Sequence, residues 1–192
     1  VGSEMCIRDS RHGIIHDCLP TPEGIQICRD YHIQMPMQSA FIGWKQEPDD
    51  YLEHILGHDR LEKLNPIKTF RDNDIMVSFG SDAPCTTPDP IVWMDRAVNN
   101  DNAGQAVSVQ DALRMCTYNG AWAAFDEQER GSLEAGKIAD MAVLSENPYT
   151  VPKDKLSGLR VERLYLGGKP YESCRESILP MMLRGLTSRN KA

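Results

Sequence analysis

Residues 75–82 read Ile-Met-Val-Ser-Phe-Gly-Ser-Asp, a short apolar run that ends on a carboxylate. This predicts a buried strand that delivers Asp82 to its C-terminal lip, with Ala83, Pro84 and a loop behind. In a parallel α/β barrel that lip is where reactive groups sit, so Asp82 is the first candidate for chemistry.

The segments around that strand alternate in kind. Gly13–His16 is a brief β-branched stretch that ends on an imidazole. Thr21-Pro22-Glu23 supplies an N-cap, a proline at the first helical position and a first-turn acid, which predicts a helix to about Tyr31 with Ile25 and Cys28 inward. Residues 32–38 predict a second short strand containing Pro36. A polar loop runs to Asp50, and Tyr51–Leu56 makes one or two helical turns. Asn65-Pro66-Ile67 opens a further helix, proline just inside it, with Ile67 and Phe70 toward a sheet and an end near Asn73. Strand, helix, strand, helix, strand is the order of parallel βα units.

Past Asp82 the long 85–107 segment, with Pro88 and Pro90, contains one helical stretch at 91–98; a loop of this length points to function or mobility. Ser108 and Asp111 form a capping box. Val109, Ala112, Leu113 and Cys116 then share one helical face. After Gly131 the texture turns to short strands at 138–144, 161–166 and 169–172, with Gly167-Gly168 as a hairpin turn.

Composition narrows the function classes. The chain has 192 residues, 41% hydrophobic and 26% charged, with a net charge of −7. That balance, with no basic run, argues against a nucleic-acid partner. No apolar run approaches the ~20 residues of a membrane span, and no signal segment opens the chain, so no membrane partner and a cytoplasmic location are expected. Six cysteines are scattered without a CxxC pair, which excludes zinc-ribbon and thioredoxin readings and favours reduced thiols.

His16 and Asp82 close two strand-like segments, and imidazole with carboxylate suits zinc or a similar divalent ion. Each alone is weak: a lone strand-end histidine is usually structural, and Gly-Ser-Asp is usually a turn. His12 and His16 have an H-x3-H spacing, but Gly-Ile-Ile intervenes without a Glu, so the zinc-protease reading fails and His12 is taken as structural. Ser81 lacks a G-x-S-x-G setting, Gly136-Lys137 lacks the rest of a P-loop, and His54 and His58 are read as solvated. Gln38, at another strand end, either touches substrate or caps the rim.

In order, four stretches then combine: Arg11-His-Gly-Ile-Ile-His16; Ile75 to Pro84; Ser108 to Ala121; and Gly131-Ser-Leu-Glu-Ala-Gly-Lys-Ile-Ala-Asp-Met-Ala-Val-Leu144, closing with Leu166-Gly-Gly-Lys-Pro-Tyr171. Over residues 11–172 the chain resembles the C-terminal half of a metal-dependent amidohydrolase of the YtcJ-like branch. The resemblance implies an α/β fold: a partial (β/α)8 TIM barrel, about its last three βα units, at 11–125. C-terminal strands of a small β-sandwich follow at 126–174, then a tail at 175–192. It implies that His16 and Asp82 are metal ligands, the metal being divalent and zinc the ordinary choice. Asp82 is the catalytic proton carrier. The reaction implied is hydrolysis of a non-peptide, amide-type C–N bond in a small molecule by metal-activated water.

Residues 1–10 read as a non-native leader. The family's strand-one His-x-His, strand-four lysine or acid and strand-five histidine have no counterpart, and Ile15 stands where a Glu commonly precedes the metal histidine. The expectation is therefore a C-terminal part that alone holds metal weakly, catalyses little, and is marginally stable or oligomerises through open strand edges. The alternative is a non-catalytic pseudoenzyme, or a module completed by a separate N-terminal chain. Substrate, metal identity and oligomeric state are not encoded in these motifs.

Overall fold

A computed structural model describes residues 10–171. The expected leader, apart from Ser10, and the tail at 175–192 lie outside the described residues, as do Cys6, Cys174 and the end of the 169–172 strand.

Parallel pairing organises the first half of an α/β fold. Strand β1 (Met35–Met37) pairs with β2 (Val77–Phe79), Met35 opposite Val77 and Met37 opposite Phe79. On the other side of β1, Gly13 bridges Gln34 in parallel. The Ile14 and His16 N–H groups donate to the Gln34 and Pro36 carbonyls at 3.0 and 3.2 Å, and Gln34 N–H donates to the His12 carbonyl at 2.8 Å. The next rung, from residue 36 to the Ile14 carbonyl, cannot form because residue 36 is proline. That missing donor explains why the expected 13–16 strand survives only as a bridge and one further bond.

Helices follow the strands as local chemistry dictates. Thr21 Oγ1 accepts from the Gly24 N–H at 3.1 Å to start α1 (Pro22–Asp30), with Pro22 in the first turn. Two polar helices, α2 (Asp49–Leu56) and α3 (His58–Leu61), fill the loop after β1. Pro66 takes the cap position of α4 (Ile67–Asp72) rather than its first turn, and supplies no side-chain cap. Asp89 caps α5 (Pro90–Val98) through Oδ1, which accepts from Ile91 N–H at 2.9 Å. Ser108 Oγ accepts from Asp111 N–H at 3.0 Å to start α6 (Val109–Cys116), and α7 (Tyr118–Ala123) follows directly.

The core lies between this sheet and its helices. Met35, Met37 and Val77 present one sheet face to Ile67 and Phe70 of α4, Met94 of α5 and Ala112 and Met115 of α6, all buried. Burial of a side chain of the Phe70 or Ile67 kind stabilises by about 1.5–3 kcal/mol. Met115, absent from the face read off the sequence, is the deepest large side chain of α6, while Val109, Leu113 and Cys116 flank it half-buried.

The β-rich end is tied to the same core. Leu156 and Leu159, in and after the 3-10 turn Lys153–Gly158, are buried with the α5 residues, and Asn99 Nδ2 donates to the Lys153 carbonyl at 2.7 Å. Strands β3 (Met141–Leu144), β4 (Val161–Leu166) and β5 (Lys169–Pro170) form an antiparallel sheet in that order. Gly167 and Gly168, at φ 57° and 74°, make the β4–β5 turn, a conformation that demands positive φ at both positions. The expected 138–144 strand begins only at Met141 because Asp140 turns aside: its Oδ1 accepts the Gly167 N–H at 2.7 Å and its Oδ2 pairs with Arg130. Among the described residues no helix is long and apolar enough to cross a membrane.

Candidate metal centre

His16 and Asp82 arrive from different strands with the same unusual backbone. Each follows its strand in the left-handed region, His16 at φ 74° and Asp82 at φ 52°. Non-glycine residues rarely adopt it, and such conformations concentrate at functional sites. The turn lifts each side chain over the C-terminal end of the parallel sheet, where they meet: His16 Nε2 lies 3.7 Å from Asp82 Oδ2. Both are roughly half exposed, at 43% and 45%.

Neighbouring groups hold the pair in place. His16 N–H is fixed to the Pro36 carbonyl. Its ring stacks on Phe41 at 5.8 Å and 25°, and Phe41 leans on Trp44 at 5.0 Å. The Asp82 carbonyl accepts from Cys85 N–H at 2.8 Å, Ser81 Oγ accepts from Ala83 N–H at 3.2 Å, and Thr86 Oγ1 donates to the Ser81 carbonyl. Ser81 thus serves the turn.

The separation suits a shared cation. Two ligand atoms on one tetrahedral zinc stand about 3.4 Å apart, given metal–ligand bonds near 2.1 Å. At 3.7 Å the imidazole and carboxylate are too far for a direct hydrogen bond and near enough for a common ion. They are two donors, not a full set: among the described residues no group of three or more His, Cys, Asp or Glu side chains is placed to hold a metal.

Gln38 stands between them in sequence, just past β1. It is 8% exposed, and its Oε1 is buried without a hydrogen-bond partner among the described residues. Its Nε2 lies 3.8 Å from the position a Cβ would take on Gly80, beside the strand that carries Asp82. His12 contributes its carbonyl to the sheet and is exposed. His58 is surface-exposed between Glu53 and Glu62, at 3.2 and 3.4 Å.

One supporting arrangement was invisible in the sequence. Arg11, at the root of the His16 segment, forms a two-pronged ion pair with Glu127, with Nη2–Oε1 at 2.6 Å and Nη1–Oε2 at 2.9 Å. Its guanidinium lies over Trp122 at 4.3 Å and Phe125 at 4.4 Å and also donates to the Trp122 carbonyl. The Arg11 carbonyl accepts from Gln34 Nε2 at 2.8 Å. Hydrogen bonding to Arg11, aided by backbone donation and the nearby cations Arg11 and Lys137, holds the Glu127 carboxyl down to about 2. This clamp fastens the first strand to the segment after α7. A second fastening is Asn119 Nδ2, which donates to the Val77 carbonyl of β2 at 2.6 Å.

The model of the amidohydrolase family matches residues 5–171. The chain belongs to that family. It is 33% identical to an N-substituted formamide deformylase of Arthrobacter pascens over 152 residues, 76% of this chain and 26% of that protein. It is 27% identical to the putative amidohydrolase YtcJ of Bacillus subtilis over 124 residues, 59% of this chain and 23% of that one. The chain thus spans about a quarter of the length of the curated relatives it matches. Among solved structures it shares the fold of an adenosine deaminase from Xanthomonas campestris with bound zinc, at TM-score 0.62 and 18% identity over 98% of this chain and 44% of that one. Within that family the chain is of the YtcJ-like branch.

Proposed function

We propose that this chain is the C-terminal portion of a metal-dependent amidohydrolase that hydrolyses a non-peptide, amide-type C–N bond in a small molecule. In this reading residues 11–125 are the last three βα units of a (β/α)8 barrel, and 126–174 supply strands of a β-sandwich. The observation that carries it is the 3.7 Å approach of His16 Nε2 to Asp82 Oδ2 at the C-terminal end of a parallel sheet.

His16 offers the Nε2 lone pair of a neutral imidazole, its ring plane set by the stack on Phe41. Asp82 offers Oδ2, and its Oδ1, without a hydrogen-bond partner among the described residues, is free to accept a proton from water and return it to the leaving nitrogen. His16 Nε2 and Asp82 Oδ2 would hold a divalent ion, zinc fitting this N/O pair, which when bound would supply acidified water and a polarised carbonyl. Gln38, just past β1, has a buried oxygen without a partner among the described residues, and is the candidate to accept a substrate N–H.

With two donors among the described residues, the chain alone is expected to hold zinc weakly and to turn over little. Calorimetric titration with zinc tests the assignment. His16→Ala and Asp82→Asn should each weaken binding about tenfold or more, since even outer-shell changes cost that much. Unchanged affinity in either variant would remove that residue from the site.

A further inference from the structure

We infer that the hollow beside Asp82 is an anion-accepting specificity pocket that takes the carboxylate end of an amide substrate. The inference rests on the hydrolase reading above and adds the substrate class. A cavity of about 570 Å³ lies between the loop after β1, at 40–46, and the loop that begins at Ala83, with Val92 and Arg96 of α5 behind. Its size is that of an ordinary small-molecule site. Ala83 directly follows Asp82, so the cavity lining begins one residue past the candidate catalytic carboxylate.

Charge decides what it accepts. Lys45 and Arg96 line it and no acidic side chain does, in a chain whose net charge is −7. Neither cation has an ion pair or hydrogen bond to a described residue, whereas Arg11, Arg71 and Arg130 are all paired with carboxylates. The neighbouring cavity, about 280 Å³, is lined instead by Asp49, Glu62 and Asp101. The two signs line separate hollows, and the positive one includes Ala83, the residue after Asp82.

Room for the Arg96 head is built into the backbone. Gly43 sits at φ 62°, and a Cβ there would come within 2.9 Å of Arg96 Nη1 and 2.7 Å of Asp101 Oδ2. Asp101 Oδ2 comes close to the same point but forms no ion pair with Arg96 and does not line the cavity. A guanidinium left unpaired beside an apolar wall of Trp44, Pro84 and Val92 matches a carboxylate attached to an apolar body.

The test uses the 192-residue chain without metal, with N-acetylphenylalanine and its neutral amide as probes in NMR titrations. The carboxylate should bind about tenfold more tightly than the amide, the scale of a charge-assisted hydrogen bond. Its shifts should fall on amides of 44–46, 83 and 85–87 and on Arg96 Nε. Arg96→Gln and Lys45→Gln should each reduce the preference, and Gly43→Ala should do so by displacing Arg96. Equal binding of both probes, shifts elsewhere, or an unchanged preference in both glutamine variants with native-like spectra would overturn the pocket. Zinc added afterwards reads the hydrolase proposal separately. Zinc at His16 without a carboxylate preference overturns the pocket alone; a carboxylate preference without zinc at His16 upholds the anion site and removes the reaction.

Discussion

His16 and Asp82 reach one another, 3.7 Å apart, because each takes a left-handed turn that its side chain disfavours. For an L-residue that backbone costs roughly 1–2 kcal/mol, less for aspartate, which tolerates it through local hydrogen bonding. Geometry at the sheet rim is therefore held against local preference by the fold around it.

A first prediction follows at His16. His16→Gly and His16→Val both lose the ring stack on Phe41, but glycine accepts φ 74° freely and valine does not. Denaturant unfolding should place the glycine variant about 1–2 kcal/mol above the valine variant. Equal stabilities would show that the left-handed turn carries no strain.

Acid should release the Arg11–Glu127 clamp. The folded-state carboxyl of Glu127 lies near 2, below its usual 4.5, so its stabilising contribution is fully present above about pH 4.5 and is lost as pH falls toward 2. Glu127→Gln should flatten the stability-versus-pH curve across that window. Arg11→Lys should rescue little, because an ammonium can neither bridge both Glu127 oxygens in a fork nor stack between Trp122 and Phe125 as a plane. Identical pH curves for wild type and Glu127→Gln would count against the clamp.

That clamp also shows where sequence reading stops. Thr21 and Ser108 were legible as caps because a cap bonds within three residues of itself. Ile67 and Phe70 were legible as core from helical spacing. Arg11 and Glu127 are 116 residues apart and share no pattern, so only folding reveals them. The positive φ of His16 and Asp82 was equally hidden, since neither position carries the glycine that would announce it. His16 and Asp82 were legible as candidates from family order, but their separation was not.

Thiol chemistry should sort by burial. Cys85 is exposed on the loop behind Asp82, while Cys28 is 3% exposed and burial pushes its thiol up. Cys116 is pushed up to about 12 by desolvation. Iodoacetamide mapping by mass spectrometry should label Cys85 well before Cys28 and Cys116, because the thiolate is the reacting form. Prior labelling of Cys28 would mean that α1 does not pack as described.

The outer edge of the first strand should be a site of association. Ile14 and His16 spend their N–H groups on β1, which leaves Gly13 and Ile15 along an edge that no described residue pairs, with Ile15 62% exposed. On the far side the Val77 carbonyl of β2 is taken by Asn119. Sedimentation velocity should show concentration-dependent self-association that Ile15→Lys suppresses, since edge charge blocks strand addition. A monomer at every concentration, in wild type as well as variant, would refute this.

The central claim is that His16 and Asp82 share a cation, and imidazole NMR reads it directly. Zinc added to nitrogen- and carbon-labelled chain should shift His16 Nε2 and the Asp82 carboxyl carbon while His12, His32, His54 and His58 stay in place. Shifts at His58 and its neighbours Glu53 and Glu62, with His16 unmoved, would contradict the account.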